Sequence, residues 1–151
     1  MGVIWVDGDG CPKNVIAAVE TLAEEYGWSF KIVANIHHNI VHPSRIVVDD
    51  QDQSTDLYIV NRLRQGDIVV TQDIGLAAIS MARSSSAIHV SGHIYKPDEM
   101  SYVLELRAHT AKMRRAGKRS KGPSKRTSID DSMFYQSLES ILNQNLNKTN
   151  L

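Results

Sequence analysis

Five short apolar runs, at residues 3–6, 30–34, 46–48, 68–71 and 88–90, constrain this chain more than any other feature. Each is rich in valine and isoleucine, and most are continuously apolar. A strand with one wet face alternates apolar and polar residues; a run without alternation is covered on both faces. Between most of the runs lie segments with helical spacing: Val15, Ile16, Val19, Leu22 and Ala23; then Leu57, Ile59, Val60 and Leu63; then Leu76, Ile79 and Met81. Such alternation predicts a three-layer α/β/α domain with a mostly parallel sheet of about five strands. The connection over residues 35–44 is too short for a full crossover helix, which leaves one strand's direction open.

The boundaries agree. Pro12 suits a first helical turn. Gly27 can end the first helix and Gly66 the second. After Pro97-Asp98-Glu99 a further helix is expected from about residue 100 to 115. Residues 117–128 are dominated by Lys, Arg, Gly and Ser around Pro123, the composition of an exposed loop. A last helix carries Met133, Phe134, Leu138, Ile141 and Leu142 on its apolar side. The expected organisation is one domain over residues 1–142, with a basic loop at 112–128, and a polar tail at 143–151.

A chain of 151 residues can bury a core without disulfide or zinc staples. No apolar run approaches the roughly 18 residues that cross a bilayer. The N-terminus has no basic region followed by a long apolar stretch, so no signal peptide is expected. One cysteine cannot form an internal disulfide, and a cytoplasmic location is the default expectation.

The run "VDGDGCP" ends the first apolar stretch with two carboxylates, Asp7 and Asp9. "VVTQDIGLA" puts Asp73 just past the fourth stretch. "DDQDQSTDLYIV" puts Asp49, Asp50 and Asp52 after the third, and Asp56 at the start of the second helix. Ligands of parallel α/β sheets bind beyond the carboxyl ends of the strands. Chain folding can therefore gather carboxylates at one edge. Like charges repel there and raise one another's pKa, a cost that a cation relieves. Hard oxygen donors suit magnesium or manganese rather than zinc, and such an ion activates water and supports a phosphodiester under attack. Gly8 and Gly10 permit positive φ and close approach of a phosphate. Against this, aspartates favour helix N-caps. For Asp9, Asp56 or Asp73 taken singly, a cap is the commoner role. Asp7 extends a strand and is harder to explain so. Asp49, Asp50 and Asp52 read as a solvated loop.

Other candidates carry less. Cys11 sits where a helix N-terminus could lower its pKa, but a buried small side chain is the commoner case. His37, His38 and His42 lack a cysteine or a regular helical spacing and read as surface. His89 and His93 flank the fifth run with no assigned role, and Trp5 reads as core. The glycines form neither a phosphate-binding GxxxxGK[ST] loop nor a dinucleotide fingerprint.

The net charge of zero conceals segregation. Eight of the seventeen Lys and Arg residues fall within 112–126, with no Asp or Glu among them. They are Lys112, Arg114, Arg115, Lys118, Arg119, Lys121, Lys125 and Arg126. A charge run is most often a solvated loop. An acidic site that handles a polyanion, however, needs positive charge beside it, and this run makes RNA a candidate partner.

Together, "VDGDGCP", "VAN", "STDLYIV", "GDIVVTQDIGLA" and the late "GKRSKGP…DDSMFYQSL" resemble the bacterial YaiI/YqxD family in its own order. The resemblance spans about residues 3–142. It implies a PIN-like domain, a small α/β fold whose acidic residues bind divalent metal and cleave RNA. Carried over, it implies catalytic and metal-binding roles for Asp7, Asp9, Asp56 and Asp73. This chain departs from the pattern in three ways. It has Asp-Gly-Asp-Gly where Asp-Ala-Asp-Ala is usual, and fewer glycines before Asp56. It also has Asp130-Asp131 where an Asp-Arg pair is usual. The leading expectation is a metal-dependent ribonuclease. One rival is a haloacid dehalogenase-like phosphatase with Asp7 as nucleophile, which needs a Ser or Thr motif and a distant lysine. The other is a non-enzymatic nucleic-acid-binding module whose carboxylates only cap helices. The oligomeric state stays open.

Overall fold

The computed structural model describes residues 2–35, 43–48, 54–99 and 125–149. Strands β1 (Val3–Asp7), β2 (Ser29–Asn35), β3 (Arg45–Val48), β4 (Ile68–Val70) and β5 (Ser86–Ile88) form one sheet in the order β3-β2-β1-β4-β5. Every pairing is parallel. The helices among the described residues are α1 (Lys13–Tyr26), α2 (Thr55–Arg62), α3 (Ile74–Ala82) and α4 (Ser128–Thr149), with a 3-10 turn at Pro97–Glu99. The direction of β3 is settled by its register, with Ile32 opposite Arg45 and Asn35 opposite Val48.

The period-two geometry of a strand sorts the core into two sides. Ile4, Val6, Ile32, Ile68, Val70 and Ile88 face α1 and α4, where Leu22, Phe134, Leu138 and Leu142 meet them. Trp5, Val33 and Val69 face the other way, toward Ile59 of α2 and Leu76 of α3. Both sides are dry along the middle of β1 and along β4, which is why those runs read as continuously apolar. The three-layer α/β/α expectation is met.

Tertiary packing moved several local features. β5 begins two residues earlier than its apolar run, because its ladder to β4 starts at Ser86. α2 stops at Arg62, with Leu63 already extended. Gly66 therefore does not end that helix; at φ +87° it makes the turn into β4. Gly27 does end α1, in the left-handed conformation, and donates its N–H back to Ala23 and Glu24. Leu57, Ile79 and Met133, placed on apolar faces by spacing, are about half exposed. α4 continues past Asn143 to Thr149, and Asn143 accepts a hydrogen bond from the Tyr26 hydroxyl at 2.8 Å. The helix expected at 100–115 and most of the basic loop lie outside the described residues.

Two glycines with positive φ differ in what surrounds them. A Cβ on Gly66 would meet nothing within 4 Å, whereas one on Gly92 (φ +94°) would lie 2.7 Å from the Met133 carbonyl group of α4. Gly66→Ala is expected to cost about 1–2 kcal/mol, the strain of left-handed backbone alone. Gly92→Ala should cost clearly more, because helix backbone cannot yield as a side chain can. Urea unfolding of both variants measures the difference; equal losses would mean that the turn at Gly92 is free to move off α4.

Candidate functional site

The chain order places β2 and β3 on one side of β1, and β4 and β5 on the other. α1, which follows β1, packs on one sheet side, and α3, which follows β4, on the opposite side. The two connections thus diverge at the carboxyl ends of adjacent strands. This is the topological switch point, where a parallel sheet opens a crevice.

Asp7 closes β1 at this point. Its Oδ2 accepts a hydrogen bond from the Thr71 hydroxyl at 2.9 Å, and its Oδ1 accepts from the Asp9 N–H at 3.3 Å. The same Thr71 hydroxyl accepts from the Asp73 N–H at 2.9 Å. One side chain thereby joins the ends of β1 and β4 and the start of α3. Tyr95 buttresses it, donating from its hydroxyl to the Thr71 carbonyl at 3.2 Å.

Asp9 ties in the other half of the sheet. Its Oδ1 accepts from the Asn35 N–H at 2.8 Å, at the end of β2. Its Oδ2 accepts from the Thr55 hydroxyl at 2.7 Å, at the start of α2. Gly10, at φ +75°, turns the chain away from the strand, and its carbonyl accepts from the Gln72 amide at 3.2 Å.

Asp73 is the N-cap of α3, accepting from Gly75 N–H at 2.8 Å and Leu76 N–H at 3.3 Å. The capping role that competes with a site role for any aspartate here is real. Asp56 differs from the other three. Its Oδ1 accepts from the Ser54 hydroxyl and from the Leu57 N–H, and Thr55 makes the contact from α2 to Asp9. The structure thus brings Asp7, Asp9 and Asp73 to one edge and leaves Asp56 occupied at its own helix start. Among the described residues, no three His, Cys, Asp or Glu side chains are grouped to hold a metal ion. Asp49, Asp50, Asp52, His37, His38 and His42 lie outside the described residues.

The electrostatics follow from burial. Desolvation pushes the Asp7 carboxyl up to about 6; the Thr71 hydrogen bond opposes the rise, and the negative charges of Asp9 and Asp73 add to it. Cys11 is also pushed up, to about 12, first by burial and then by the Asp7 charge. The helix N-terminus does not make it a reactive thiolate.

Positive charge reaches this side of the molecule through Arg126. Its Nε donates to Asp131 Oδ1 at 2.7 Å and its Nη1 to the Val90 carbonyl at 2.7 Å. Among the described residues its Nη2 is buried without a hydrogen-bond partner, and its charge acts on both Cys11 and His89. Asp131 is held in turn by the Asn14 amide at 2.8 Å. Asp130 accepts from the Thr127 N–H at 2.8 Å and so caps α4. The Asp130-Asp131 pair thus has a structural role, and Arg126 stands at the head of the last helix. Of the other basic candidates, Lys125 is exposed, while Lys112, Arg114, Arg115, Lys118, Arg119 and Lys121 lie outside the described residues.

Sequence reasoning missed Thr71, Thr55 and Asp67. A hydroxyl residue at the end of an all-apolar strand was the available signal for Thr71. Asp67 sits at the opposite end of the sheet, only 3% exposed, and accepts from Val3 N–H, Trp5 Nε1–H and Arg64 N–H at 2.9–3.0 Å.

Fold and site together define a three-layer α/β/α domain with carboxylates collected at the switch point of a parallel sheet. The chain belongs to the YaiI/YqxD family, described as uncharacterised, whose model matches residues 5–144. Relatives named UPF0178 protein support this. That of Exiguobacterium sibiricum is 37% identical over 143 residues, covering 93% of this chain and 96% of its own. That of Heliobacterium modesticaldum is 34% identical, covering 93% and 97%. That of Listeria monocytogenes is 38% identical, covering 92% and 94%. No solved structure matches the chain. No helix among the described residues is long and apolar enough to cross a membrane.

The raised pKa of Asp7 has a consequence for stability. A folded pKa of about 6 against 3.8 means that the native state binds more protons than the unfolded chain between those values. Stability contributed by protonated Asp7 is therefore full below about pH 4 and is lost as pH rises through about 6. The difference amounts to about 2–3 kcal/mol. Asp7→Asn, which keeps an acceptor for Thr71, should be more stable than the wild type at pH 7. The advantage should shrink as pH falls toward 4, in urea unfolding at several pH values. A variant less stable than the wild type at pH 7 would refute the desolvation argument.

Proposed function

We propose that this chain is a PIN-like nuclease that hydrolyses phosphodiesters of RNA at the edge formed by Asp7, Asp9 and Asp73. The observation that carries the reading is Asp7: a partly buried carboxyl, pushed up to about 6, at a sheet switch point. A general base works best when its pKa lies near the operating pH. At neutral pH Asp7 is mostly ionised and can take a proton from a water attacking phosphorus. The new P–O bond forms, the scissile P–O bond breaks, and the departing oxygen is protonated from solvent. Thr71 aims the Asp7 carboxylate, and Asp9 holds the loop that follows it against β2 and α2.

Magnesium or manganese is the ion this reading expects, because the donors are hard carboxylate oxygens. Among the described residues the carboxylates do not by themselves assemble an ion cage, so the chain's own groups carry the steps. Arg126 supports an RNA substrate through its positive charge alone, since its Nε and Nη1 are engaged with Asp131 and the Val90 carbonyl. The basic run that precedes it in the sequence carries the further positive charge that binding a polyanion needs.

Cleavage of labelled single-stranded RNA with magnesium or manganese tests the proposal. The rate should rise with pH through about 6, the value for Asp7, and fall about 100-fold or more in Asp7→Asn. No cleavage with either ion would sink it. A beryllium fluoride adduct on Asp7 without RNA cleavage would move the assignment to an aspartate-nucleophile phosphatase.

RNA binding is tested separately. Replacing Arg114, Arg115, Lys118 and Arg119 by glutamine should weaken binding regardless of base sequence and flatten its salt dependence. Unchanged binding at low salt would remove the basic run from the interface.

A further inference from the structure

α2 is only eight residues long, and its end leaves the amino-terminal end of the sheet uncovered on the α2/α3 side. A cleft of about 600 Å³ opens there, at the opposite end of the strands from Asp7. That volume lies within the range of small-ligand pockets. Lys31, Arg62 and Arg64 line it, together with the Asn61 amide and the edge of Trp5. Strand register explains the gathering: Lys31 is the direct partner of Trp5 across the β1–β2 ladder, and both point to the α2/α3 side.

The charge of this cleft is unbalanced. Its one carboxylate, Asp67, is taken up by three N–H donors, from Val3, Trp5 and Arg64. Among the described residues none of the three cations forms an ion pair. Their positions are nonetheless partly set. The Lys31 ammonium lies 5.4 Å from the centre of the Trp5 ring. The Arg62 guanidinium lies 3.5 Å over the Tyr58 ring and donates one hydrogen bond to the Tyr58 carbonyl, and among the described residues its other donors have no partner. Three like charges around one concave surface repel, and an anion seated among them relieves the repulsion. Arg64 and Arg62 offer forked donors that match phosphate oxygens, and Lys31 offers a point charge. Because Trp5 is only 3% exposed and Tyr58 is covered by Arg62, little aromatic face is left to stack a base. Recognition there rests on phosphate.

We infer that the cleft bounded by Lys31, Arg62 and Arg64 binds the phosphate groups of a nucleotide-sized phosphorylated ligand, at a site separate from the acidic edge.

Isothermal titration of the full chain with pyrophosphate and with ATP tests this. Binding of at least one probe is expected, weakened about tenfold or more in Lys31→Ala/Arg64→Ala and unchanged in Asp7→Asn. Arg64 makes its structural hydrogen bonds through its backbone, to Asp67 and Ser85. Arg64→Ala therefore removes only an exposed head group, and it carries the test alone if the double variant folds poorly. No binding of either probe at millimolar concentration would overturn the assignment, as would equal binding by wild type and variants. Loss in Asp7→Asn with retention in the double variant would place the ligand at the acidic edge instead.

Discussion

Everything in this fold depends on β1 being paired in parallel on both sides, with β2 and with β4. A central parallel strand has no wet face, so it must be apolar throughout and change character only where it leaves the sheet. Val3 to Val6 obey the first demand, and Asp7 marks the second. Parallel pairing also brings the carboxyl ends of β1, β2 and β4 side by side. Residues far apart in sequence, such as Asp7 and Thr71, meet there without any long side chain having to reach.

Two aspartates clasp β1 to the β4 segment, one at each end, with different chemistry. Asp67 accepts three N–H donors at the amino-terminal edge and is fully engaged as a structural acceptor. Asp7 receives one hydroxyl and one long N–H contact at the carboxyl edge, and burial lifts its pKa to about 6. Two carboxyls at opposite ends of one strand thus differ in role because of the donors around them, Asp67 almost fully buried and Asp7 partly so. The under-compensated one lies in the crevice, where perturbed titration points to function.

The last helix completes this side of the molecule. Phe134, Leu138 and Leu142 pin α4 to the sheet and α1, and the Asn14–Asp131–Arg126 chain of contacts continues from that apolar seam into polar ground. Arg126 is thereby held rather than waving from a loop. Its guanidinium is fixed relative to Cys11 at the start of α1, two residues beyond Asp9.

The sequence by itself determined the class of fold, because burial on both faces writes an unbroken valine and isoleucine pattern that nothing else in a chain of this kind requires. It also determined that a carboxylate, Asp7, ends the first strand and that another, Asp73, follows closely after the fourth, since order along the chain is local information. Tertiary structure alone decided which carboxylates share an environment. Asp9 was open to a capping role and instead bridges β2 and α2, while Asp56, one residue from Thr55, turns to its own helix start. It also decided that Met133, Leu57 and Ile79 stay half exposed, that Asp131 and not its neighbour holds Arg126, and that Asp67 is buried. Periodicity reports which side of an element a residue occupies, but not whether another element arrives to cover it. Hydrogen-bond partners separated by 46 to 64 residues leave no trace in local pattern, because strand order, not spacing, brings them together.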